Sequence, residues 1–199
     1  MPILLIVITV HEFAHARMAY FFGDATAKMQ GRMNLNPINH LDPIGSLMIL
    51  LVGFGWAKPV PINPYNFTQY RRGLRWVSFA GPLSNLIMGL VCYILFAYLV
   101  EWGSMVSGSL FVRFMTELIR INVLLALFNL IPIPPLDGSK ILMSFLPNRF
   151  LPVYNQLERY APILLLLLIF TGVLWTVIGP LFDQIIGFYS FVLGLLPGF

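Results

Sequence analysis

Three ionisable residues sit in the middle of an apolar stretch long enough to cross a bilayer: His11-Glu12-Phe13-Ala14-His15 lies inside residues 2–22. About 21 residues at 1.5 Å per residue cover the ~30 Å hydrocarbon core. Ionisable groups at that depth are costly and mark functional sites. Residues four apart stand on one face of a helix, so both imidazoles can bind one Zn²⁺. Glu12 lies about 100° further around the helix and reaches a water on the metal rather than the metal itself. Zinc draws the pKa of such a water toward ~7. Glu12 can then take its proton and later pass it to a leaving amine. A five-residue match of this kind arises by chance in some long chains. In a lipid-depth helix, a metal that neutralises Glu12 and engages both imidazoles resolves the cost, so the pattern is read as a metal site.

Composition supports a multi-span membrane protein. The 199 residues are 58% hydrophobic and 10% charged, against about 25% charged in soluble domains. The length suits one bundle, and residues 1–199 are read as a single domain. One cysteine, Cys92, excludes an internal disulfide and any multi-Cys metal site; it is read as packing. The formal charge of +4 is loop charge that sets orientation rather than a nucleic-acid footprint. Residues 1–10 lack a basic leader and a small-residue cleavage site, so the first helix is expected to be retained.

The expected fold is an all-α polytopic membrane protein. Four full transmembrane helices are placed at 2–22, 76–100, 110–133 and 161–180. Alternation around Gly31 within 25–36 reads as a β-hairpin. Residues 44–54 are apolar but too short to span, which suggests a re-entrant segment. Residues 53–64, with prolines two apart, favour extended backbone. Arg113, Glu117 and Arg120 share a helix face and can pair. Residues 182–199 either cross the membrane or lie along its surface.

A catalytic zinc takes three protein ligands and leaves one position open. Asp137 is the best candidate for the third. It follows Pro132, Pro134 and Pro135, which break the preceding helix, and precedes Gly138, which lets the backbone turn. The other reading is a turn aspartate in a proline-rich loop, ahead of a helix that it caps. His40, beside Asp42 and Pro43, is read as a structural loop histidine.

His11-Glu12-Phe13-Ala14-His15 together with Asn129-Leu130-Ile131-Pro132-Ile133-Pro134-Pro135-Leu136-Asp137-Gly138 resembles the paired signatures of the site-2 protease family. Gly81-Pro82-Leu83-Ser84-Asn85 resembles the family's GPxxN element. Leu130 stands where the strict second motif has a proline. The resemblance covers nearly the whole chain and is to compact members without PDZ or CBS modules. It implies that His11, His15 and Asp137 bind one Zn²⁺ and that Glu12 is the catalytic base and acid. It also implies that Asn85 meets substrate backbone or the developing oxyanion, the alternative being helix–helix glue. Asn129 is expected to brace the Asp137 loop.

The implied activity is intramembrane proteolysis, cutting within or near the transmembrane segment of a membrane-protein substrate. Regulated intramembrane proteolysis or clearance of signal-peptide remnants would use it. The competing reading is a non-catalytic, metal-holding membrane chaperone of the same fold. The expected setting is a bacterial or archaeal plasma membrane. If 44–54 re-enters, Lys28, Arg32, Lys58, Arg71, Arg72, Arg75, Lys140, Arg149 and Arg159 fall on one side, which the positive-inside rule makes cytosolic. The extended stretches could pair with an unwound substrate by strand addition.

Overall fold

A computed structural model describes residues 2–45, 48, 57–101 and 109–196, and among these all regular structure is helical. The helices that build the site are, in chain order, α1 (Pro2–Phe21), α2 (Thr26–Met29), α3 (Tyr70–Glu101), α4 (Leu110–Asn129), α5 (Asp137–Phe145), α6 (Leu151–Phe170) and α7 (Val173–Leu193). Three of them, α1, α3 and α7, are long and apolar enough to cross a membrane. The segment 44–54 and the loop between α3 and α4 lie largely outside the described residues.

Two expectations are corrected. Residues 25–36 hold no strand. The Asp24 carboxylate accepts from the backbone N–H and hydroxyl of Thr26 and starts α2. The Arg32 N–H then folds back to the Ala27 carbonyl at 2.8 Å, with Gly31 between them at φ +66°. A glycine flanked by alternating residues suits a helix end as well as a hairpin, and the Asp24 side chain favours the helix. The span placed at 161–180 is divided. Gly172, at φ +74°, closes α6 and starts α7. The left-handed residue that ends a helix is usually glycine, and here it interrupts an unbroken apolar run. Residues 182–193 are therefore the second half of α7.

The helix α3 is the hub, packed against α1, α4 and α5 and touching α7. Small side chains permit the approach: Ala16 and Ala19 of α1 and Ala126 of α4 are fully buried. One apolar cluster joins Val123 and Leu127 of α4 with Leu165 of α6 and Leu174, Ile178 and Tyr189 of α7. The Tyr189 hydroxyl donates to the Leu86 carbonyl at 2.6 Å and ties α7 to α3. On α4, Arg120 pairs with Glu117 at 2.8 Å as the spacing predicts. The outer faces are apolar, with Phe170 86% and Trp175 58% exposed. Apolar surface on this scale needs lipid or a partner to cover it, and the chain is a helical membrane protein.

Asp24 organises the loops between α1 and α3. Its carboxylate is 1% exposed and accepts from the Asn63 N–H at 2.7 Å and the Asn66 amide at 2.8 Å. The Thr68 N–H donates to the Phe22 carbonyl at 2.9 Å. Arg32 donates to the carbonyls of Lys58 and Pro59, and the Lys58 N–H donates to the His40 carbonyl. These bonds hold residues 57–63 in place. Burial alone would raise the Asp24 pKa, but the hydrogen bonds from Thr26, Asn66 and Asn63 outweigh it and hold the carboxyl below the usual range. A lowered folded pKa gives stability that is present above the unfolded value, ~3.9, and is lost as pH falls through the folded value. Asp24→Asn is expected to cost about 1–3 kcal/mol. In thermal scans in detergent, its melting midpoint should fall less than that of the wild type below about pH 4. Parallel pH curves would refute this role.

Candidate metal centre

The four-residue spacing on α1 turns His11 and His15 toward α3. Their rings meet edge to face with centroids 4.5 Å apart. Their Nε2 atoms are 3.0 Å apart. Asp137 Oδ2 lies 3.2 Å from His11 Nε2 and 3.0 Å from His15 Nε2. All three side chains are buried. The chain thus gathers two imidazoles and a carboxylate from positions 122 and 126 residues apart into one triangle of donor atoms.

Gly81 makes this packing feasible. A Cβ at Gly81 would run into His15 Nε2 and lie 2.6 Å from His11 Nε2. Only glycine lets α3 approach the two rings so closely. Pro82 follows inside the helix and offers no N–H to the carbonyl four residues earlier. One turn before Gly81, the Val77 carbonyl lies 2.7 Å from His15 Nδ1. A carbonyl can only accept, so Nδ1 carries the proton, and a neutral His15 has its lone pair at Nε2.

Asp137 is delivered by the proline-broken turn after α4 and is the first residue of α5. Gly138 matters for close approach, not for an unusual turn. A Cβ there would collide with Leu130 and lie 2.6 Å from the Ile131 carbonyl oxygen, while its φ is not positive. Arg75 of α3 holds α5, bonding Ser144 Oγ at 3.2 Å and lying 3.6 Å over the Phe145 ring. Lys140 Nζ is 3.9 Å from the second carboxylate oxygen, Oδ1. Asp137 thus both starts a helix, where a negative charge is favoured, and faces the histidines.

The donor set fits zinc. A lone pair on His15 Nε2 and a carboxylate oxygen 3.0 Å away repel each other unless a cation lies between them. Zinc–nitrogen bonds of about 2.0–2.1 Å in a tetrahedron put neighbouring ligand atoms about 3.3 Å apart, close to the separations found. Two imidazoles and one carboxylate leave a fourth position open, as in catalytic zinc sites.

Glu12 stands at the edge of the same cleft, a cavity of about 290 Å³ also lined by Val60, Asn129 and the three donor residues. Its Oε2 accepts from the Val60 N–H at 2.8 Å. Asn85 is fully buried, and its amide lies 3.1 Å from His11 Nδ1, on the far side of the ring from Nε2. Asn129 lines the cleft, but its amide donates to the Leu125 carbonyl of its own helix rather than to the Asp137 loop. His40 is buried apart from the cluster, its Nε2 3.0 Å from the Asn34 carbonyl. The Val77 carbonyl and the Val60 N–H escaped sequence reasoning because backbone groups leave no residue-type signal. Gly81 did leave one, in the Gly81-Pro82 pair.

A bundle of apolar-faced helices around a buried HExxH-and-aspartate cluster is the build of a membrane protein with a candidate metal site. Known proteins agree. The description "Peptidase family M50" matches residues 99–171, a stretch that contains Asn129 to Gly138. The chain is 41% identical over 194 residues to a Bacillus subtilis protein named "Putative zinc metalloprotease YwhC", covering 94% of this chain and 89% of that one. Proteins named Rip2 are 32% identical in Mycolicibacterium smegmatis and 30% identical in Mycobacterium tuberculosis. Those matches cover 67% and 82% of this chain and 52% and 63% of theirs. No solved structure matches at a significant level. The chain belongs to peptidase family M50, the site-2 protease family.

Gly81→Ala is expected to displace the histidine rings and lower bound zinc at least about tenfold at fixed free metal, with an overpacking cost of about 1–3 kcal/mol. Metal analysis of purified protein checks it. Full occupancy at wild-type affinity would show that the rings do not need this contact.

Proposed function

We propose that this protein is an intramembrane zinc metalloprotease that hydrolyses a peptide bond within or near the transmembrane segment of a membrane-protein substrate. The observation that carries the reading is the buried triangle of His11 Nε2, His15 Nε2 and Asp137 Oδ2, with Glu12 on the same cleft. In this reading the three residues hold one Zn²⁺. When bound, zinc acts as a Lewis acid and makes water nucleophilic near neutral pH.

The rest falls to the chain's own groups. Val60 holds Glu12 by Oε2, which orients the carboxylate and leaves Oε1 to take a proton from the attacking water. The same carboxylate returns that proton to the leaving amine. His15 is kept in register by the Val77 carbonyl. Burial among α1, α3 and α5 limits the water that reaches the site. A helical peptide bond is shielded by its own hydrogen bonds, so the substrate must unwind before attack. Residues 57–63, which carry no helix and line the cleft at Pro59, Val60 and Ile62, are the proposed rest for the unwound chain.

The arrangement also bears on orientation. If α1, α3 and α4 cross in turn and 44–54 re-enters, the Asp137 turn comes back to the side on which α1 ends. Lys28, Arg32, Lys58, Arg71, Arg72, Arg75 and Lys140 then share that side, the cytosolic one by the positive-inside rule. His15 is about 10 Å of helix from the end of α1, so the centre would lie below that surface.

Co-expression of wild type and Glu12→Gln with a panel of single-span membrane proteins tests the proposal, with zinc measured on both purified forms. The variant is expected to cut about 10²–10⁴-fold more slowly at equal zinc content. Equal cutting by both forms would remove Glu12 from the chemical step. A chain that binds zinc yet cuts no single-span protein would favour the metal-holding chaperone.

A further inference from the structure

We propose that Asn85 is a positioning residue for the metal: its Oδ1 accepts a hydrogen bond from His11 Nδ1–H and so holds His11 in the tautomer whose Nε2 is free to bind. The inference rests on the metalloprotease reading above and gives Asn85 a role behind the ligand instead of a contact with substrate.

The position of Asn85 leaves it little else to do. It is 0% exposed, one turn after Gly81 on α3. Its amide is 3.1 Å from His11 Nδ1. The two ends of an amide have nearly the same shape, and their assignment follows from the hydrogen-bond network. The outer end of the amide, Oδ1 when Nδ2 is turned to the ring, is buried without a partner, so that side does not fix the assignment. The other two buried or half-buried asparagines of the core direct their amide donors elsewhere, although Asn122 Oδ1 is likewise buried without a donor. Asn122 and Asn129 donate to the carbonyls four residues back on α4, those of Leu118 and Leu125. Asn85 directs its amide across to α1.

The opposite side of the His11 ring decides which end of the amide faces it. His11 Nε2 lies at the corner shared with His15 Nε2 and Asp137 Oδ2, so it must present a lone pair to bind a cation there. A neutral imidazole with a lone pair at Nε2 carries its proton at Nδ1. That proton needs an acceptor, and Oδ1 is the one the amide can supply. His15 already shows this arrangement, since its Nδ1 meets the Val77 carbonyl, which can only accept. One ligand is held by a backbone carbonyl and the other by a side-chain amide oxygen, both from α3. Such partners fix the orientation of a ligating histidine and raise its basicity.

Zinc dissociation constants from chelator competition in detergent test the assignment, on wild type, Asn85→Leu and Asn85→Asp. Melting midpoints of the metal-free proteins report folding separately. Asn85→Leu keeps the volume but has no acceptor, and zinc binding is expected to weaken about 10–100-fold. Asn85→Asp keeps an acceptor and is expected to bind zinc at least as tightly as the wild type. This second variant decides the matter even if the leucine variant fails to fold. An Asp variant that loses affinity would show that the native amide presents Nδ2 to the ring, and would overturn the proposal. So would a folded Leu variant with unchanged zinc affinity, and a raised KM in that variant would return Asn85 to the substrate. Failure of the wild type itself to take up zinc would instead sink the metal-centre reading, whatever the variants did.

Discussion

Three buried donor atoms crowded within 3.2 Å of one another are the arrangement on which the rest of the molecule depends. Left to themselves, two lone pairs and a carboxylate oxygen repel, and a low-dielectric surrounding enlarges the penalty. A cation at the centre reverses the sign. The helix contacts follow from that need. Helix α3 must come close enough to touch both rings, so it carries glycine at position 81. Helix α5 must begin where Asp137 can face α1, so its second residue is a glycine pressed against the end of α4. The fully buried alanines of α1 and α4 allow the same tight packing between helices, where lipid provides no hydrophobic drive.

The loops between α1 and α3 belong to the same design. A buried carboxylate at the end of α1, Asp24, gathers Thr26, Asn63 and Asn66. Arg32 grips the backbone at Lys58 and Pro59. Together they seat Val60 so that its N–H meets Glu12. The Glu12 carboxylate is thus oriented by a backbone group that is itself fixed by residues outside the cleft.

This construction keeps polar groups together inside a chain whose outer faces are apolar. The polar groups converge on one cleft between α1, α3 and the segment 57–63, while the outer faces of α6 and α7 stay greasy. The three residues of the candidate metal centre each have a second neighbour: His15 the Val77 carbonyl, His11 the Asn85 amide and Asp137 the Lys140 ammonium. Membership of peptidase family M50 agrees with a layout that gathers His11, His15 and Asp137 inside a helical bundle.

Much of the centre was legible in the residues. His11 and His15 are four apart on a helix, so their shared face follows from helix geometry alone. The prolines at 132, 134 and 135 announce a broken span before Asp137. Local rules were less decisive where two outcomes share a pattern. The glycine at 31 ends a short helix instead of turning a hairpin, and Gly172 divides an apolar run that reads as one span. Asn85 shows the same limit, because an asparagine in an apolar helix is compatible with substrate binding or helix glue until its neighbour is known. The sequence by itself determined the shared face of His11 and His15, since that depends on spacing within one segment. Only the tertiary structure decided which backbone groups meet Glu12 and His15 and which face of His11 receives Asn85, because those contacts join segments tens of residues apart and depend on how closely the helices pack.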